Sequence, residues 1–176
     1  MSLGNLEPLF TTEQLQHRIQ ELSQEILASY GGEPFICVGI LKGSFIFLAD
    51  LLRTLPVEVK VDFLGLSSYS GTESTGVVRL THDLKTDISG MHVLVVEDIV
   101  DSGLTLSYLL RMLGARQPKS LKVVALLDKV ARRTVDVDID FVGFPIEDHF
   151  VVGYGLDLDE GYRGLPYIGM FPPSAE

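Results

Sequence analysis

Apolar positions recur at helical spacing between Thr12 and Tyr30, where Leu15, Ile19, Leu22, Ile26 and Leu27 share a face. Thr11 and Gln14 are placed as a capping box ahead of this segment, and Gly31-Gly32 stops it. Phe35–Leu41 is continuously apolar, as strands buried on both faces of a parallel sheet tend to be. A second helix is predicted from Phe45 to Leu55, with Ser44 as its cap and Pro56 as its breaker. Val57 to Leu66 alternates apolar and polar in the manner of a half-buried strand, and Val77 to Leu80 is a possible return strand. Between them lies a small, polar, glycine-bearing loop of the kind that often carries function. His92–Asp98 is the strongest strand pattern, followed by a turn and a helix from about Leu104 to Gly114. Ser120–Leu127 is another buried strand and Asp140–Phe144 a weaker one, after which the tail reads as irregular and rich in Gly and Pro. This alternation predicts an α/β fold with a mainly parallel twisted sheet flanked by helices.

Composition narrows the class. With 46% hydrophobic and 22% charged residues over 176 positions, the chain has material for one well-formed core. The net charge of −10 argues against a broad nucleic-acid-binding face. The lone cysteine, Cys37, falls inside an apolar run and reads as a buried thiol of a reduced compartment. Neither a signal peptide nor a membrane span is visible, so a soluble, cytoplasmic chain is expected.

In a parallel α/β sheet, ligands bind beyond the carboxyl ends of the strands. Three such ends stand out: Leu41-Lys42-Gly43, Glu97 through Thr105, and Asp128-Lys129. At the second, Glu97 and Asp98 end a buried strand, Asp101 follows at the turn, and Ser102, Gly103 and Thr105 open a helix whose N–H groups favour an anion. Acids alone repel phosphate, so this pattern suits a ligand with hydroxyls or Mg²⁺ for the acids and phosphate for the loop. A sugar phosphate has both. Neither G-x-G-x-x-G nor G-x-x-x-x-G-K-[ST] occurs, which removes the simple dinucleotide and P-loop readings. His82, His92 and His149 lack metal-ligand spacing, and His17 reads as a helix-surface residue.

Val96-Glu-Asp-Ile-Val-Asp-Ser-Gly-Leu-Thr105 resembles the phosphoribosyl-pyrophosphate (PRPP) signature of the type I phosphoribosyltransferases. Leu41-Lys-Gly-Ser-Phe, Ser68-Tyr69, Leu127-Asp-Lys129, Asp140–Phe144, Phe150–Asp157 and Tyr162-Arg163 extend the resemblance to the hypoxanthine–guanine phosphoribosyltransferases, over about residues 36 to 170. The resemblance implies a type I phosphoribosyltransferase fold: a single domain, residues 1–176, with a core over about 35–140. A small hood would come from the N-terminal segment and about 141–176.

The implied activity is purine salvage: phosphoribosyl transfer from PRPP to N9 of hypoxanthine or guanine, giving IMP or GMP and pyrophosphate, with Mg²⁺. By resemblance, Glu97 and Asp98 hold the ribose hydroxyls directly or through Mg²⁺, and Asp157 is a further Mg²⁺-binding acid beside the purine. Ser102, Gly103, Leu104 and Thr105 bind the 5-phosphate, and Asp101 is the general base or proton relay at purine N7. Leu104 stands where some relatives carry lysine, which removes a charge from the phosphate loop. Lys42, Gly43, Arg133 and Arg163 match the pyrophosphate site, where the 41–42 peptide can be cis. Lys129 would donate to the purine 6-oxo group, which physically disfavours adenine because its 6-amino group is itself a donor. Phe150 would stack on the base and Val151 present backbone groups to its edge. Ser68 and Tyr69 would begin a lid, and Tyr154, Tyr162 and Tyr167 are expected to pack.

The family commonly forms homodimers or homotetramers. Two other readings explain less. A regulatory relative that binds RNA or DNA would want a basic surface, against the charge of −10. A phosphotransferase with a nucleophilic aspartate would need that acid at the first strand end, where Lys42-Gly43 stands.

Overall fold

The structure is a computed structural model, and it describes residues 6–56, 58–68 and 78–171. Helix α1 (Thr12–Tyr30) starts at a complete capping box, with the Gln14 N–H donating to the Thr11 hydroxyl and the Thr11 N–H to the Gln14 side chain. Gly31, left-handed at φ 60°, closes it. Strand β2 (Phe35–Leu41) leads through α2 (Phe45–Thr54) to β3 (Lys60–Ser68), and β4 (Val78–His82) returns alongside. Strand β5 (His92–Val100), α3 (Leu104–Gly114), β6 (Ser120–Asp128) and β7 (Phe141–Pro145) complete the main unit.

These strands form a six-stranded sheet in the order β4-β3-β2-β5-β6-β7, in which β4 alone runs antiparallel. Side chains alternate between its faces. Cys37, Leu94, Val96, Val124 and Leu126 pack with Leu15, Ile19, Leu22, Phe47 and Leu51 of α1 and α2. Ile36, Val38, Val93, Val95, Val123 and Ala125 pack instead with Leu106, Leu109 and Leu113 of α3. Burial on both sides explains why these strands read as unbroken apolar runs. Burial pushes the Cys37 thiol up to about 12, as an inert core residue requires.

The crossover through α2 carries the chain from β2 toward β3, whereas the one through α3 carries it the opposite way, from β5 to β6. The direction of winding therefore reverses between β2 and β5. Side-by-side loops diverge there, opening a crevice above the carboxyl ends of the two strands.

The tail is more ordered than the irregular segment expected from its Gly and Pro content. Strands β1 (Glu7–Phe10), β8 (Val151–Val152) and β9 (Ile168–Met170) form a three-stranded antiparallel sheet in the order β1-β9-β8. They are only two to four residues long and join the chain's two ends, so no local periodicity announced them. Ser44 precedes α2 as expected but caps nothing; its hydroxyl donates back to the Ile40 carbonyl at 2.7 Å. Asp140 falls just outside β7, where its carboxylate accepts the Val123 N–H at 2.8 Å.

Candidate active site

The crevice between β2 and β5 is a cavity of about 220 Å³ lined by Ile40, Leu41, Lys42, Gly43, Leu66, Glu97, Asp98 and Thr105. The first and second strand ends singled out in the sequence therefore meet. The Leu41–Lys42 peptide is cis. Gly43 lies directly against Asp98: a Cβ there would run into the Asp98 carboxylate. Gly155, at φ 102°, lies on the other side, and a Cβ on it would run into the Gly43 carbonyl. Glycine is required at both positions because three segments of the chain stack in contact.

Glu97 is 6% exposed, and burial, then the neighbouring charge of Asp98, push its carboxyl well above the usual range. Asp98 is raised to about 6 by burial; the backbone N–H groups of Asp98 and Ile99 and the Arg163 guanidinium oppose the rise, and Asp157 adds to it. A buried acid and a half-buried one side by side, with a third nearby, disfavour one another's charged forms. Among the described residues no group of three acids, histidines or cysteines forms a cage for a metal ion. The donor set fits Mg²⁺ of the kind that binds through one or two carboxylates and completes its shell with water and ligand oxygens.

Beyond Asp98 the chain turns at Asp101 and Ser102 into α3. Its N-cap is Gly103, left-handed at φ 84°, which brings no side chain of its own to the first-turn N–H groups; the Leu104 N–H donates to the Ser102 hydroxyl at 3.4 Å. The Ser102 carbonyl accepts the N–H groups of Thr134 and Val135 at 3.0 and 3.2 Å, which fixes the loop from below. Ser102, Gly103, Leu104 and Thr105 thus form one turn, with Leu104 exposed. The Asp101 Oδ1 atom is buried and accepts no hydrogen bond, although Arg132 Nε lies 3.0 Å away as an ion-pair partner.

Lys129 follows β6 and is bound to β5 through its N–H, which donates to the Val100 carbonyl at 2.9 Å. Its ammonium is almost buried and reaches Asp148 Oδ1 at 3.3 Å, while Arg132 holds Asp148 Oδ2 at 3.0 Å. The Arg132 guanidinium, then Lys129, hold the Asp148 carboxyl below its ordinary value. Phe150 is 54% exposed, beside Phe171 at 6.3 Å between ring centroids, so it is not a core residue. Val151 is buried in β8 and pairs with Met170.

A second charged group closes the other side. Lys42 pairs with Glu160 at 2.9 Å, Glu160 with Arg163 at 3.0 Å, and Arg163 with Asp157 at 2.9 Å. Arg163 also donates to the Gly155 carbonyl at 2.8 Å, yet its Nε is buried and bonded to no partner. Arg133 stands apart: its guanidinium is taken up by the Asp128 carboxylate and the Asp101 carbonyl. Ser68 ends β3, while Tyr69 lies outside the described residues.

The sequence reading passed over Asp148, Glu160 and Asp50, each of which looks like an ordinary surface residue in the chain. The partner that gives each of the first two its meaning is brought near by the fold, as Glu160 is to Lys42 across 118 positions. Tyr154 packs as expected, but its hydroxyl also donates to Asp50 Oδ2 at 2.5 Å.

A family model described as a phosphoribosyl transferase domain matches residues 7–159. The chain is 51% identical over 172 residues to the hypoxanthine-guanine phosphoribosyltransferase of Mycobacterium avium, covering 94% of this chain and 85% of that one. The chain belongs to the hypoxanthine–guanine phosphoribosyltransferases. It is 45% identical to the enzyme of that name from Bacillus subtilis (strain 168), over 94% of this chain and 93% of the relative. The crystal structure of a hypoxanthine phosphoribosyltransferase from Staphylococcus aureus superposes with a TM-score of 0.91 at 46% identity, covering 96% of this chain and 93% of that one. The mainly parallel sheet and its flanking helices are those of this transferase family, and the chain is accordingly an enzyme.

Proposed function

We propose that the chain transfers the 5-phosphoribosyl group of PRPP to N9 of hypoxanthine or guanine, forming IMP or GMP and releasing pyrophosphate. The observation that carries this reading is the pair of raised acids, buried Glu97 and half-buried Asp98, near the end of β5, followed closely by a helix start at Gly103 whose N-cap has no side chain. Few ligands other than a phosphorylated sugar bring hydroxyls or a cation to the first and an anion to the second.

Glu97 and Asp98 hold the ribose hydroxyls, with the 5-phosphate on the N–H groups and hydroxyls of Ser102, Gly103, Leu104 and Thr105. Lys42, Gly43 and Arg163 hold the pyrophosphate, and the unbonded Nε of Arg163 suits an incoming anion. Arg133 supports this half of the site by bracing the Asp101 backbone, and its positive charge adds to the field felt by the phosphates. Glu97, Asp98 and Asp157 would hold Mg²⁺, which would supply positive charge to offset that of the pyrophosphate. Phe150 stacks on the purine, Val151 offers backbone groups to its edge, and Lys129 donates to the 6-oxo group. Asp101 takes the proton at N7 as the bond from C1′ to pyrophosphate breaks and the bond from C1′ to N9 forms. Its buried Oδ1, ion-paired with Arg132 and accepting no hydrogen bond, suits an acceptor. Ser68 and Tyr69 begin the lid that keeps water from the oxocarbenium-like centre.

The same reading makes residues 1–176 one catalytic domain, with the core over about 35–140 and a hood from the two ends. It also places the enzyme in the cytoplasm as a homodimer or homotetramer. No helix among the described residues is long and apolar enough to cross a membrane. Nucleic acid is not among its proposed partners, in keeping with the net charge of −10.

The test is incubation with PRPP and Mg²⁺ and, in turn, hypoxanthine, guanine, xanthine and adenine, with products separated by chromatography. IMP and GMP are expected, lost on chelation of Mg²⁺, with no product from adenine. Absence of nucleotide from both hypoxanthine and guanine overturns the reading.

A further inference from the structure

Away from the substrate groups, one half-buried polar cluster joins three parts of the chain. Tyr154 is 3% exposed, and its hydroxyl donates to Asp50 Oδ2 of α2 at 2.5 Å. Gln16 of α1 donates to the same carboxylate oxygen at 2.8 Å and reaches the Tyr154 hydroxyl at 3.3 Å. Arg53 pairs with the other oxygen, Oδ1. Tyr154 is held at φ 51°, a conformation that a bulky side chain rarely adopts without support from its surroundings.

The next residue shows what this support serves. Gly155 lies on the Gly43 carbonyl with no room for a Cβ, its N–H donates to the Arg163 carbonyl at 2.9 Å, and its own carbonyl accepts from the Arg163 guanidinium at 2.8 Å. The Tyr154 N–H donates to the Leu165 carbonyl at 2.9 Å, closing the loop that carries Asp157 and Arg163. Asp50 belongs to α2, the helix that leaves the Lys42-Gly43 turn directly. One side-chain hydrogen bond therefore ties the middle of α2 to the hood, one residue before the point where the hood touches the turn.

We propose that Tyr154 and Asp50 are positioning residues for the pyrophosphate subsite: their hydrogen bond sets Arg163 at its working distance from the Gly43 turn. This rests on the reading of Lys42, Gly43 and Arg163 as the pyrophosphate site. Neither residue touches substrate. Their effect acts on PRPP and pyrophosphate and leaves the purine side, built on Lys129, Asp148 and Phe150, unaltered. Burial, then the neighbouring Asp50 charge, raise the tyrosine's pKa, so the hydroxyl stays a donor throughout the working pH range.

Steady-state kinetics in both directions test this on the full chain. Tyr154→Phe keeps the ring and removes the donor; the KM for PRPP, and for pyrophosphate in the reverse reaction from IMP, is expected to rise about tenfold, a loss typical of one hydrogen bond to a charged group. The KM for hypoxanthine and kcat should stay within about twofold of the unmodified chain, since they report contacts this bond does not set. Asp50→Leu should reproduce the effect, whereas Asp50→Asn, which keeps an acceptor for the hydroxyl, should restore most of the PRPP KM. Thermal melting is recorded for each variant. Unchanged PRPP and pyrophosphate KM values in Tyr154→Phe overturn the proposal. So does a rise in every KM together with a lowered Tm, which marks general loosening. Because these are ratios to an active unmodified chain, failure here is separate from failure of the proposed reaction, which shows as no nucleotide from that chain.

Discussion

The two sides of the crevice handle charge in opposite ways. On the floor, buried Glu97 and half-buried Asp98 are adjacent, and desolvation raises both carboxyls above their ordinary values. In the hood, Glu160 is held below its ordinary value first by Lys42 and then by Arg163. Asp148, near Lys129, is likewise lowered, first by Arg132. The floor stores an electrostatic deficit that a ligand with hydroxyls or a cation relieves. The hood keeps its cations paired and oriented, so an anion arriving there exchanges one partner for another. A site for an anionic substrate can thus sit in a chain of net charge −10, because the contest is decided locally.

The largest effect is expected where floor and hood meet. Gly43→Ala drives a Cβ into the Asp98 carboxylate, so the turn has to move by the order of an ångström. A fall in kcat/KM of at least about 10²-fold should follow, with circular dichroism unchanged. A near-normal rate would show that floor and turn do not need their observed contact.

The deficit on the floor predicts a pH-dependent stability. Asp98 is raised from 3.8 to about 6 on folding, so the folded state binds the proton more tightly than the unfolded one. Stability is then lost as pH rises through about 4 to 6, and the penalty is fully present above that window. At ~1.36 kcal/mol per pKa unit, Asp98→Asn should raise the unfolding free energy of the ligand-free chain by up to about 3 kcal/mol at pH 7.5 and hardly at all at pH 4. Urea denaturation at the two pH values checks the sign. Equal effects at both would remove the contrast between the two sides.

Smaller effects probe the paired side. Asp148→Asn weakens the charge holding Lys129 and Arg132 and should raise the KM for hypoxanthine about three- to tenfold with the KM for PRPP little changed, measured by initial rates. Glu160→Gln removes an exposed carboxylate from Lys42 and Arg163. It should change the unfolding free energy by less than about 0.5 kcal/mol, as exposed ion pairs usually do, and calorimetry reads this directly.

Most of the main sheet was legible along the chain because its strands are buried on both faces. Phe35–Leu41 and α1 (Thr12–Tyr30) match their expected limits, since an apolar run or a capping box is a local property. Strand β5 runs two residues beyond the expected Asp98, and β3 begins three residues later than expected, at Lys60. The three-stranded sheet that joins the two ends of the chain was not legible as strands. Its strands span two to four residues, and each finds its partner far away, as Glu7 does in Met170. Asp148 and Glu160 were missed for the same reason, for a single charged residue in a loop has no pattern around it.

The local arrangement at the end of β5 needs nothing beyond its own residues. An apolar strand carrying Glu97-Asp98 near its end, a turn at Asp101 and a helix beginning after Gly103 follow from burial, turn chemistry and helix geometry within one short stretch. That stretch already names the class of ligand. Which groups face it from above depended on packing: Gly155 resting on Gly43, and the Tyr154 hydroxyl on Asp50 across 104 positions. Short-range backbone preferences act between neighbours in sequence and can be read there. Contacts between distant segments depend on how whole layers pack, and they acquire a chemical meaning only once the chain has closed on itself.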